Sequence, residues 1–311
     1  MNIYISGSLA YDRIMDFPGK FSDYILPDKI HVLNVCFNVN GMVEKFGGTA
    51  GNIAYTLSLL NERPFILATI GKDYHNYFEW LKINNIPTDG IKIIHEEFTA
   101  GAYITTDKAD NQITGFNPGA MKYPSGYQLD SENPDDSLVL IAPGNIEDMM
   151  VYARQCKDRD VRYICDPGQS LSKWHSRDLL EWIDGSMMLI SNDYELEIIK
   201  RLTGLEKHQL LKLTETIITT LGEKGSIIST KEYIIEIPSI KTLDIIDPTG
   251  AGDAYRAGLL KGMVLGKDIQ TAAKMGTVAA VYAIEKYGTQ EHRYTFEEFS
   301  KRYEENFGEL K

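Results

Sequence analysis

The chain reads as an α/β protein: a doubly wound, mostly parallel sheet flanked by helices, with a small β-sheet lid. From residue 138 onward the apolar runs LVLIAP, VRYICDP, SMMLISN and ETIITTLG alternate with stretches of helical spacing. Strands alternating with helices imply parallel pairing with helices on both faces. The stretches near 33–40 and 99–116 break that alternation. They read as strands covered on one face only, so they predict a second, smaller sheet built from two separated segments.

The elements follow in order. NIYIS is a short apolar run stopped by Gly7, which suits a buried strand. In LNVCFNVN, residues 33–40, the apolar row Leu33, Val35, Phe37 and Val39 alternates with small or polar residues. Such a row on a sheet face can pack on its own helices or pair with a second copy of the lid. Thr49 to Leu60 changes to helical spacing, with Ile53, Leu57 and Leu60 on one side, and leads into the apolar run FILATI. YHNYFEWLKINN then reads as an amphipathic helix, and IKIIH, TAGAYITTD and NQITGF as short strands. A helix follows Gly252, and the charged tail from Thr295 to Lys311 puts Phe296, Phe299 and Tyr303 on one docking face. The expected division is a main domain of residues 1–11, 45–95 and 123–311, with a discontinuous lid of 12–44 and 96–122.

Composition narrows the function. With 43% apolar residues in 311, the chain can bury a large core, and its net charge of -12 argues against a nucleic-acid or anionic-membrane surface. No apolar run approaches the roughly 20 residues of a membrane helix. Cys36, Cys156 and Cys165 are odd in number and lack metal-like spacing, so all three are expected to be buried, reduced structural residues of a soluble cytoplasmic protein. GxxxxGK[ST], GxGxxG after the first strand, HExxH and GxSxG are all missing. A P-loop, a dinucleotide fold, a zinc protease and a nucleophile elbow are thereby disfavoured.

Chemistry concentrates at five places. In DPTGAGD, residues 247–253, glycines precede a helix start, where unpaired N–H groups and the dipole can hold an anion without a lysine. Asp253 at the edge of that nest is either a base or an ordinary helix-cap carboxylate. FGGTAGN, 46–52, also opens a helix. Gly47 and Gly48 there admit close approach to the backbone or make a tight turn, and Asn52 offers a donor and an acceptor to sugar hydroxyls or caps the helix. Asp12, in GSLAYD just past the first strand, either accepts from two neighbouring hydroxyls or is a plain loop carboxylate. Asn192 and Glu195, in SNDYE, suit either a shared metal-bound water or a capping box. TLGEKG, 220–225, is either a phosphate loop through Thr220 and Gly222 or a hairpin turn.

Taken together, FGGTAGN, NDYE, TLGEKG and DPTGAGD, in this order from Asp12 to about His292, resemble the ribokinase, or PfkB-type, family of sugar and nucleoside kinases. The resemblance implies transfer of the γ-phosphoryl group of ATP, with Mg2+, to a primary hydroxyl beneath a β-sheet lid. Carried over, Asp253 is the base and the backbone of Gly250, Ala251 and Gly252 the anion hole. Asp12, Gly47, Gly48 and Asn52 match acceptor-binding positions, Asn192 and Glu195 the Mg2+ and phosphate motif, and Thr220, Gly222 and Gly225 the nucleotide loop. Glu195 would act on Mg2+ through water. Asp247 and the Thr249 carbonyl would be the first ligands of a monovalent cation such as K+, with the rest of that site somewhere in 283–292.

GSLAYDRIMDFPGKF, TAGNIAYTL, ITGFNPGAM and YICDPGQ resemble microbial adenosine kinases more than ribokinases. This implies phosphorylation of the 5′-hydroxyl of adenosine or a related nucleoside, with Phe116 either stacking on the base or packing within the lid. Asp166 and Gln169 fall at a strand end where such folds bind ligands. Tyr255-Arg256 departs from the small or phenylalanine residues common after the aspartate, and Arg256 adds a cation near the phosphates. A sugar kinase of the same family and a non-catalytic nucleoside-binding protein are the alternatives. No nucleic-acid or membrane partner is expected, and the chain would act as a monomer or as a homodimer through the lid.

Overall fold

The computed structural model describes residues 1–109, 111–129, 134–242 and 244–310. Asp110, in the 96–122 segment, and residues 130–133, Leu243 and Lys311, in the 123–311 segment, lie outside them.

In chain order the strands are β1 (Asn2–Ser6), β2 (Ala10–Asp16), β3 (Met42–Gly47), β4 (Phe65–Gly71), β5 (Ile91–Ile94), β6 (Ala100–Thr106) and β7 (Gln112–Asn117). They continue as β8 (Ser137–Ile141), β9 (Arg162–Cys165), β10 (Met188–Asn192), β11 (Thr216–Thr220), β12 (Ser226–Ser229) and β13 (Ile234–Ile237). Among the described residues nine strands form the main sheet, in the order β13-β12-β11-β10-β9-β8-β1-β4-β5. Pairing is parallel from β5 to β11 and antiparallel in the closing hairpins of β12 and β13. The remaining four make the small sheet β3-β2-β6-β7.

The helices are α1 (Thr49–Leu59), α2 (His75–Ile83), α3 (Ile146–Asp158), α4 (Ser176–Ile183), α5 (Asp193–Thr203), α6 (Lys207–Leu210), α7 (Ala251–Val264), α8 (Ile269–Ile284) and α9 (Phe296–Phe307). Period-two alternation sorts the sheet into two cores. Ile3, Ile5, Leu138 and Leu140 face one way, onto Ile53 and Leu57 of α1 and Leu259 and Leu260 of α7. Tyr4, Val139 and Ile141 face the other way, onto Tyr152 of α3, Trp182 of α4 and Ile199 of α5. Phe299 and Tyr303 bury the tail helix against Val278 and Ala279 of α8.

Two expectations fail. Residues 33–40 form no strand; the third lid strand is MVEKFG, one segment later. Phe37 instead packs on Phe17 (ring centroids 4.8 Å) and Phe21 (5.3 Å), so its apolar neighbour is an aromatic cluster and not a sheet face. Leu33 and Val39 are exposed. Cys36, in the same stretch, is exposed as well, while Cys156 and Cys165 are buried as expected. No described helix is long and apolar enough to cross a membrane.

Candidate active site

The chain turns back on itself beside β1: β4 and β5 extend the sheet one way, β8 to β11 the other. Open α/β sheets hold ligands at the carboxyl ends of strands beside such a reversal. A cleft of about 640 Å³ lies there, floored by the residues that follow β1, β8, β9, β10 and β11 and roofed by the small sheet.

The two glycine-led helix starts differ in what their donors meet. At α1, Gly48 takes φ 90° and leaves the capping to Ser8. The Ser8 hydroxyl accepts from Thr49 N–H at 3.0 Å and the Ser8 carbonyl from Ala50 N–H at 3.0 Å. Thr49 Oγ1 then donates to the Pro143 carbonyl at 2.8 Å, which knits the ends of β1 and β8 beneath the cleft. This helix start is spent on the fold.

At α7 the chain enters through Gly250 in the left-handed region, φ 79°, where a side chain would be strained. The Ala251 N–H turns back to the Pro248 carbonyl at 3.3 Å. Among the described residues the N–H groups of Gly252 and Asp253 meet no backbone carbonyl, and both residues line the cleft. An anion there faces two free donors and the positive end of a 14-residue helix. Of the three positions expected to form the hole, Gly250 and Gly252 line the cleft and Ala251 does not.

Asp253 is no cap: α7 has no side-chain cap hydrogen bond. Its Oδ2 accepts from Asn52 Nδ2 at 2.8 Å. Burial raises its carboxyl from the ordinary 3.8 to about 6, against the pull of the Asn52 bond and the Arg256 guanidinium and with Glu195 adding to the rise. A carboxylate with that affinity for protons is a better base than a solvated one.

Arg256 does not offer a free charge to the cleft. It lies 7% exposed beneath the first turn of α7, and Asp166, 1% exposed at the end of β9, takes it in a two-point ion pair. Nε reaches Oδ2 at 2.5 Å and Nη2 reaches Oδ1 at 2.6 Å. Burial pushes the Asp166 carboxyl upward while the guanidinium opposes it. Both residues line the cleft, and so does Gln169.

Across the cleft stand the acceptor-side candidates Asp12 and Asn52, with Phe116 on β7 54% exposed over the opening. Burial first, and then Asp247, raise the Asp12 carboxyl. Gly47 is outside the lining, but a Cβ there would come within 2.7 Å of Asp12 Oδ2, so its glycine makes room for that carboxylate.

On the other side, Asn192 and Glu195 form the capping box of α5: Asn192 Oδ1 accepts from Glu195 N–H at 2.7 Å and Glu195 Oε2 from Asn192 N–H at 2.9 Å. Both still line the cleft, so the cap and the site share residues. TLGEKG is a hairpin turn between β11 and β12 whose Thr220 and Gly222 line the cleft while Gly225 closes the hairpin outside it.

Asp247 lies outside the lining, Thr249 within it. Asp247 Oδ1 accepts from Thr249 N–H at 2.9 Å and Oδ2 from Gly288 N–H at 3.0 Å, so the 283–292 segment meets the DPTGAGD turn at Gly288. Sequence reasoning missed Gln290, whose buried amide touches Asn52. Its partners are more than two hundred residues away in the chain.

A pfkB family carbohydrate kinase model matches residues 21–295. A nucleoside kinase of Methanocaldococcus jannaschii is 34% identical over 287 residues, spanning 91% of this chain and 94% of that one. The nucleoside kinase of Burkholderia thailandensis in complex with inosine has a TM-score of 0.86 at 32% identity, covering 98% of both chains. In complex with ADP-inosine the same enzyme gives 0.84 at 34% identity, over 98% of this chain and 96% of that one. With a ribokinase fold and a family match across most of its length, the chain belongs to the PfkB carbohydrate kinases and is a phosphotransferase with an alcohol group as acceptor.

Proposed function

We propose that the protein transfers the γ-phosphoryl group of ATP to the 5′-hydroxyl of a nucleoside, adenosine or a close relative, with Asp253 as base. The observation that carries this is Asp253 held by Asn52 at the start of α7, next to helix N–H groups that meet no backbone acceptor. The acceptor oxygen attacks the γ-phosphorus and its proton passes to the free oxygen of Asp253. The bond from phosphorus to the bridging oxygen breaks, and that electron pair leaves with ADP. The N–H groups of Gly252 and Asp253 hold the negative charge of the transferring group. The nucleoside kinases among the similar proteins support a nucleoside acceptor, and the relative bound to ADP-inosine supports an adenine nucleotide beside it.

No cluster of three metal-binding side chains occurs among the described residues, while Glu195 supplies one carboxylate at the cleft wall. That suits Mg2+, which keeps its waters and is held largely by substrate phosphates, and which would neutralise charge on them. Asp247, joined to Thr249 and Gly288, offers hard oxygens for K+. Exchanging K+ for tetramethylammonium should then lower turnover, and equal rates in both salts would remove the site. The exposed apolar residues Ile30, Val32 and Leu33 suit pairing of two lids, which sedimentation velocity would detect as a dimer.

The test of the function is ADP release with ATP and Mg2+ against adenosine, inosine, guanosine, cytidine, ribose and fructose 6-phosphate. Turnover with a nucleoside is expected. Turnover with only ribose or fructose 6-phosphate would keep the chemistry and discard the nucleoside, and silence across the panel would discard both. Phe116→Ala should weaken nucleoside binding by about 1 to 3 kcal/mol, the worth of a base on an aromatic ring, and leave ribose unaffected. Titration calorimetry with both ligands reads the difference.

A further inference from the structure

The amide of Asn52 has a polarity imposed on it from a distance. Trp80 Nε1–H, on α2, donates to Gln290 Oε1 at 2.7 Å. An indole nitrogen is a donor only, so the Gln290 amide has one orientation: oxygen toward Trp80, nitrogen away. Gln290 Nε2 then donates to Asn52 Oδ1 at 3.0 Å and to the Tyr77 hydroxyl at 3.0 Å. Tyr77 passes its own proton on to the Gly47 carbonyl at 2.7 Å, at the end of lid strand β3. With its oxygen taken, Asn52 has only its N–H to turn toward Asp253 Oδ2. Asn52, Tyr77 and Gln290 are buried, and Trp80 is stacked between Phe46 and Tyr55 at centroid distances of 5.1 and 5.7 Å. Gly51 keeps the crossing open, since a Cβ there would sit 2.0 Å from the Tyr77 hydroxyl and 3.1 Å from Gln290 Nε2.

We propose that Gln290, anchored by Trp80, is a positioning residue for phosphoryl transfer, fixing Asn52 as a donor so that it pins one oxygen of Asp253 and leaves the other for the acceptor's proton. The Tyr77 branch ties the same amide to the lid, so the seating of β3 and the aim of the base share one hydrogen-bond chain. The inference rests on Asp253 being the base. Reversing the amide would set a carbonyl oxygen against the carboxylate, two acceptors with no proton between them.

Gln290→Glu tests it by keeping shape and removing the donor. Steady-state kinetics at pH 7.5 should show kcat lower by about 10², the scale of a small misplacement of a reacting group, with KM for nucleoside and ATP within about threefold. Trp80→Phe keeps an aromatic ring in the stack and loses the N–H together with part of the indole's ring area. Its kcat should fall less, and in the double variant the two losses should not add. Turnover per folded molecule equal to the parent's in Gln290→Glu overturns the proposal, and if that variant does not fold, parental kcat in Trp80→Phe overturns it instead. Asp253→Asn is run alongside: normal turnover there would sink the base assignment itself, whereas an inactive Asp253→Asn beside a fully active Gln290→Glu would sink only the relay.

Discussion

Asp253→Asn should give a folded protein that still binds nucleoside and turns over more slowly by about 10² to 10⁴, the usual contribution of a positioned acid or base. The side chain keeps its size, and its oxygen can still accept from Asn52 Nδ2, so the loss should appear in kcat and hardly in KM. In the parent the same group sets a pH limit. Burial raises its carboxyl to about 6, and only the ionised form takes a proton, so kcat should decline as pH falls through about 6.

Stability has the opposite dependence. An acid raised from 3.8 in the unfolded chain to about 6 in the folded one favours folding below 3.8, and that contribution is lost as pH rises through about 6. Asp253→Asn removes the buried charge and should therefore melt above the parent at pH 7.5, the two converging near pH 4. A variant melting well below the parent at pH 7.5 would mean that Asp253 is holding the fold, contrary to the site described above.

Arg256→Met should be the most destabilising single change in the cleft. It leaves Asp166, 1% exposed and paired at 2.5 and 2.6 Å in the parent, without a counter-charge. Breaking a buried ion pair from one side typically costs about 3 to 5 kcal/mol, or a fall in melting midpoint of about 5 to 10 °C in a chain of this size. Without the guanidinium the Asp166 carboxyl rises further. The deficit should shrink in acid, where the carboxyl is protonated, and widen toward pH 8. Adding Asp166→Asn should restore part of the loss at pH 8, and an unchanged melting curve in the single variant would show that the pair is dispensable.

What the sequence reveals here depends on distance along the chain. The β/α alternation from residue 138 is local, and so are both glycine-led helix starts and the α5 capping box. The pattern in LNVCFNVN misleads because period two does not say that each apolar residue meets something, and Leu33 and Val39 stay exposed. At Phe37 the something is Phe17 and Phe21. MVEKFG escapes notice because a thin lid leaves Met42, Val43 and Glu44 exposed and tolerates charge where a core strand would not. Arg256 is visible as an oddity after Asp253, but its partner is 90 residues away, and Gln290 is 238 from Asn52. No periodicity spans such gaps.

The place of β1 in the sheet also bears on how the chain comes together during synthesis. Its register partners on β4 begin at Phe65, but those on β8 begin only at Ser137. Until about 140 residues have been made, β1 can pair on one side alone, with Ile3 and Ile5 short of the neighbours that cover them in the finished core. A nascent chain in this state presents an open, apolar edge, the feature that recruits chaperones and seeds aggregation. A ribosome-stalled chain ending shortly before β8 should therefore be the form most easily lost to aggregates, and extension past Ile141 should rescue it.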